Sequence, residues 1–122
     1  MNLKEMLKAE GRGIIATASS QGVVNTAVYA IPRIGADETA IWGMTDGQTW
    51  ENIRENPSAS YADFSPGEGY RGARLTLVLV RTEDEGALLE EIREWARTKT
   101  PANPGSIKHV AYFQVVEVRP LV

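Results

Sequence analysis

Two strand-like runs, Gly13 to Ser19 and Val23 to Ile31, are separated by only three residues, Ser20-Gln21-Gly22. So short a gap, with a glycine free to take positive φ, closes as a tight turn and makes the two runs an antiparallel hairpin. Both alternate sets of the second run carry apolar residues, so part of it is covered on both faces. Asn25 and Thr26 interrupt it, and Pro32 ends its ladder or marks an edge. Four further strands are expected at 39–44, 58–64, 70–81 and 107–118, and helices at 2–10 and 48–55. A third helix follows Thr82-Glu-Asp-Glu85, which has capping-box spacing, and carries Leu88, Leu89, Ile92, Trp95 and Ala96 on one face. Six short strands with few helices favour a small closed or partly closed barrel over a doubly wound sheet.

A chain of 122 residues is expected to form one domain, 1–122. With 13 Lys and Arg against 16 Asp and Glu, a net charge of −3, it lacks the concentrated positive charge that a nucleic-acid backbone or an anionic membrane requires. The absence of cysteine removes disulfides, thiolate nucleophiles and cysteine-ligated metals. The first ten residues are charged and lack the apolar run of a signal peptide, and the longest apolar run is Leu77 to Val80. The expectation is a cytoplasmic protein.

Chemistry-bearing residues are sparse. The single histidine, His109, opens the last strand and reads as a satisfied strand residue. No Gly-x-Ser-x-Gly turn exists to build a triad with it. Asp63, Glu83, Asp84, Glu85, Glu90 and Glu91 read as solvated surface or helix caps. Gly67, Gly69 and Gly72 precede a strand rather than a helix, unlike a phosphate loop. The stretch from Thr39 to Pro57 is different. An alternating strand passes through Thr45-Asp46-Gly47 into a short helix, and such a junction aims free N–H groups and a positive helix end at one spot, suited to a phosphate. Trp42 lies just before that turn, where an aromatic could flank a flat conjugated ring.

Val24-Asn25-Thr26, then Gly43-Met44, then Thr49 opening a helix resemble the FMN-binding split-barrel superfamily, which includes pyridoxamine 5′-phosphate oxidases. The resemblance is nearest to the small FMN-binding proteins of sulfate-reducing bacteria. It extends to Glu10, Gly11, Ile15, Ala16 and Thr17, to Gly67, Gly69 and Tyr70, and to the late helix and closing strand. It implies a mainly β fold, a six-stranded antiparallel split β-barrel of Greek-key type with flanking helices. It implies a homodimer with one FMN per protomer at the subunit interface. The implied cofactor-binding residues are Asn25, Thr26, Trp42, Gly43, Met44, Thr45, Gln48 and Thr49. Thr26, Thr45, Gln48 and Thr49 would meet the phosphate, Trp42 to Thr45 the isoalloxazine, and Asn25 the ring or ribityl chain. The implied activity is that of a small oxidoreductase or electron carrier, with no catalytic side chain assigned. Relatives usually carry lysine where this chain has Gln48, and a neutral amide does not neutralise a phosphate. That departure leaves room for a deazaflavin or haem, or for a non-enzymatic module that binds only a protein partner.

Overall fold

A computed structural model describes residues 2–7, 11–99 and 103–122. Its elements are α1 (Leu3–Met6), β1 (Arg12–Ala18), β2 (Val24–Ala30), β3 (Arg33–Ile34), β4 (Thr39–Thr45), α2 (Gln48–Glu55), β5 (Ser58–Phe64), β6 (Gly72–Glu83), α3 (Ala87–Lys99) and β7 (Ile107–Pro120). The strands form one antiparallel sheet in the order β2-β1-β5-β6-β7-β4-β3, curled into a half-barrel. The expected β1–β2 hairpin is present, with Ala18 opposite Val24 and Arg12 opposite Ala30.

Period-two alternation explains the sheet. Ile15 and Thr17 of β1, Ala40, Trp42 and Met44 of β4, Tyr61 and Asp63 of β5, Ala73, Leu75 and Leu77 of β6, and Ala111 and Phe113 of β7 are buried. α1 adds Leu3 to this core, Leu7 joins it just beyond the helix, and α2 adds Trp50 and Ile53. Trp42 joins β4 to the end of β2 through an Nε1–H bond to the Ala30 carbonyl at 2.8 Å, and the Tyr61 hydroxyl reaches the same carbonyl at 3.1 Å. On the other side of the sheet α3 lays Leu89 and Ile92 against Val110 and Tyr112. Each such fully buried side chain contributes about 1.5–3 kcal/mol. Gly43 makes the approach of α3 possible, since a Cβ there would lie 2.6 Å from Ile92 Cγ2 and 2.9 Å from Ile107 Cγ2.

Several expectations are corrected. The strand count is seven, because Arg33–Ile34 pairs with Ile41 and Ala40 after Pro32 has ended the β2 ladder. The fifth expected strand, drawn at 70–81, runs from Gly72 to Glu83. Thr82 and Glu83 form no capping box. They continue the strand opposite Ala111 and Val110, and α3 starts after a turn at Gly86, whose φ is +120°. Here the β7 ladder, together with Glu83 bonding Tyr112 and Arg81, outweighs local capping propensity. Asp63 is not at the surface but fully buried. The end of the first expected helix, 8–10 with Glu10, and residues 101–102 of the expected 101–105 loop lie outside the described residues.

Candidate functional site

β4 delivers the chain to the junction. Its ladder with β7 shifts register between Met44 and Thr45, so Met44 opposes His109 while Thr45 opposes Ile107 and Lys108 is skipped. Thr45, Asp46, Gly47 and Gln48 are exposed. α2 then packs Thr49, Trp50, Asn52 and Ile53 against the barrel. Asn52 Nδ2 donates to Thr17 Oγ1 at 3.0 Å, and Gln48 Nε2 donates to Asn52 Oδ1 at 2.8 Å. Among the described residues, no side chain accepts from the amides of Gln48 and Thr49.

The sequence-predicted residues are only partly brought together. Trp42 and Met44 point into the barrel, where the indole meets Tyr29, Tyr61 and Phe113 at centroid distances of 6.4, 4.9 and 5.7 Å. Gly43 lies beneath α3. The exposed part of β4 at this end is therefore Thr45. Asn25 is half-buried, on the β2 face shared with Ala27 and Tyr29, whereas Thr26 is exposed on the opposite face. Thr49 is buried rather than exposed, and its hydroxyl meets the Tyr29 phenol. Burial raises the pKa of that phenol, against the smaller, opposite effect of the Thr49 contact. Thr49, Gln48 and Thr45 thus share the junction.

One cluster beside the junction is not predicted from sequence. An open cleft of about 370 Å³ is lined by Asp46, Trp50, Glu51, Arg54, Thr82, Asp84 and His109. The imidazole of His109 is clamped there. Its Nε2 lies 2.6 Å from Asp46 Oδ1 and its Nδ1 lies 2.7 Å from Asp84 Oδ1. The ring stacks on Trp50 at 3.7 Å and an interplanar angle of 4°. Lys108 Nζ is 3.3 Å from Asp46 Oδ2. Hydrogen bonding from His109 first, and from Lys108 second, holds the Asp46 carboxyl below the usual carboxylate range. His109 is thus the satisfied strand histidine expected. Its partners lie 63 and 25 residues away, and only the β4–β7 and β6–β7 ladders bring them in. Among the described residues no three potential ligands converge on a metal position, and no helix is long and apolar enough to cross a membrane.

No protein-family model matches the chain, and neither does any curated protein. Solved structures do match. HupZ of Group A Streptococcus is 27% identical with a TM-score of 0.79, over 99% of this chain and 94% of that one. An FMN-binding protein of Syntrophomonas wolfei is 19% identical with a TM-score of 0.78, over 90% and 76%. An F420 reductase is 14% identical with a TM-score of 0.76, over 98% and 97%. Proteins described as pyridoxamine 5′-phosphate oxidase and as haem-binding share the fold at 13% and 21% identity. Strand order, curl and these likenesses show that the chain has the split-barrel fold of these solved structures.

Proposed function

We propose that this protein is an FMN-binding flavoprotein, a homodimeric, cytoplasmic small oxidoreductase or electron carrier, with the phosphate at the start of α2. The observation that carries the reading is the junction itself: an exposed turn, a helix start whose first amides meet no side chain, and Thr45 and Gln48 beside them. The fold, shared with an FMN-binding protein, supports it. FMN would supply the redox chemistry, and the protein's part would be to bind and orient it. The β4 backbone near Thr45 would run beside the ring, Asn25 would approach from β2, and the Thr49 hydroxyl, now turned to Tyr29, would leave its backbone N–H for the phosphate.

A second copy is supported by the outer face of the sheet. Val24 and Val28 of the edge strand β2 are more than half exposed, and Ile14 of neighbouring β1, opposite Val28, is 37% exposed. An apolar surface of this kind on an edge strand and its neighbours invites a partner.

The competing ligand is a deazaflavin, which the F420 reductase likeness makes chemically comparable. Gln48 favours it, since the side chain is neutral and its amide is committed to Asn52. Haem is less well served, because His109 would have to leave a carboxylate before binding iron. Purified protein given excess FMN and desalted should retain visible flavin absorption. Protein that emerges colourless after FMN, but retains F420, would replace the reading with its competitor.

A further inference from the structure

We propose that His109, with both ring nitrogens protonated, is a positioning residue that holds the Asp46 carboxylate away from the first turn of α2 and so keeps that turn open to an anion. This rests on reading the turn as the phosphate-binding point.

Hydrogen-bond chemistry carries the first step. Neutral imidazole has one donor nitrogen and one acceptor nitrogen, and a carboxylate only accepts. With Asp46 at 2.6 Å from Nε2 and Asp84 at 2.7 Å from Nδ1, a neutral ring would set two lone pairs against each other at one contact. The imidazolium satisfies both. The ring cannot easily turn away, because Trp50 stacks flat on it and its side chain is 12% exposed.

The second step concerns what Asp46 would otherwise do. It stands one residue before Gly47, the N-cap of α2. Carboxylates near a helix start are drawn to its unpaired N–H groups. Here the carboxylate is instead bonded to His109 and Lys108, which leaves the helix start without a side-chain cap. Loss of one ring proton leaves a single donor for two carboxylates. In the tautomer that keeps its proton on Nδ1, facing Asp84, Asp46 retains only Lys108, in a solvent-exposed pair that is weak. Released, it can cap α2 and repel a phosphate at the same point. The charged groups facing the ring are Asp46 from the β4–α2 turn, Asp84 from the β6–α3 turn, Glu51 and Arg54 from α2, and Lys108 from β7.

The test is a double-mutant cycle in FMN affinity, read at one pH so that ionisation of the FMN phosphate cancels, with an NMR titration of wild-type protein beside it. His109→Gln should weaken FMN by about 2- to 30-fold, the range of one charge acting at a helix end. Asp46→Asn should abolish that sensitivity, so that the double variant binds like Asp46→Asn alone. Independent, additive effects, or unchanged affinity in His109→Gln, would overturn the proposal. In the NMR arm the ring is read without overlap, because the chain has one histidine. The amides of Gly47, Gln48 and Glu85 should titrate with the ring, and amides that ignore it would overturn the clamp. If wild-type protein binds no FMN at all, the functional reading fails, and the amide titration alone decides the clamp.

Discussion

Asp63 offers a quantitative test of the barrel interior. Its side chain is fully buried on β5, between Gly13 of β1 and Ala73 of β6. Among the described residues neither carboxylate oxygen has a hydrogen-bond partner. Burial raises its pKa, because removal from water disfavours the charged form. The sign follows from linkage. An acid whose folded pKa lies above its unfolded value, about 3.9, is protonated more readily in the folded state. Folding is therefore least penalised below the unfolded pKa. The penalty grows as pH rises through the folded pKa and is constant above it. A tenfold difference in acidity between the folded and unfolded states corresponds to about 1.4 kcal/mol, and an unsatisfied buried polar group costs about 1–3 kcal/mol, more when charged. Asp63→Asn keeps the shape and removes the charge while leaving an amide as unsatisfied as the carboxylate, so at neutral pH it should stabilise the protein only by the charge's share, on the order of 1 kcal/mol. The gain should vanish at a pH near the unfolded pKa. Urea unfolding of both proteins across that range gives the difference directly, and other carboxylates cancel. A variant less stable than wild type at neutral pH would refute the reasoning, since it would mean the carboxylate has a partner that Asn cannot replace.

Gly43→Ala should destabilise by about 1–3 kcal/mol, measured by the same unfolding assay, because its methyl would press into Ile92 and Ile107 beneath α3. Gln48→Ala with Thr49→Ala should weaken FMN binding in a flavin-fluorescence titration by loosening the α2 start whose backbone amides would hold the phosphate. It should also cost about 1–2 kcal/mol of stability, because Thr49 is buried against Tyr29 and Gln48 holds Asn52. Val28→Glu should convert the proposed dimer to monomer in light scattering while the amide spectrum stays folded, because the side chain is 74% exposed on the edge strand. A dimer that survives would place the interface elsewhere.

Much of the fold was legible because it rests on local pattern. The 13–31 hairpin, the alternation of 73, 75 and 77 against 74, 76 and 78, and Leu89, Ile92 and Ala96 of the α3 face all appear in the burial, whereas Trp95 of that face is exposed. What was missed depends on long-range pairing. Thr82 to Glu85 looks like a helix start by itself, but β7 extends the strand through Glu83. Asp63 looked like any polar strand residue, because alternation tells which residues share a face and not whether a carboxylate can tolerate the interior. At the candidate site the turn and the α2 start were visible as residue types. The facing of each side chain was not. A strand that carries Trp42 towards a ligand also carries it into the core, and the interior pairing with Tyr61 and Ala30 decides for the core. The His109 clamp had no local signal, since it joins two turns to β7.

The proposed role of the α2 start is to bind the phosphate of FMN. An amide-resolved NMR titration of the cofactor-free protein with FMN tests it most directly. Saturable binding is expected, with the largest shifts at Gly47, Gln48 and Thr49. Folded protein whose amides there do not respond to FMN, or that binds FMN with its largest shifts on another element, would contradict it.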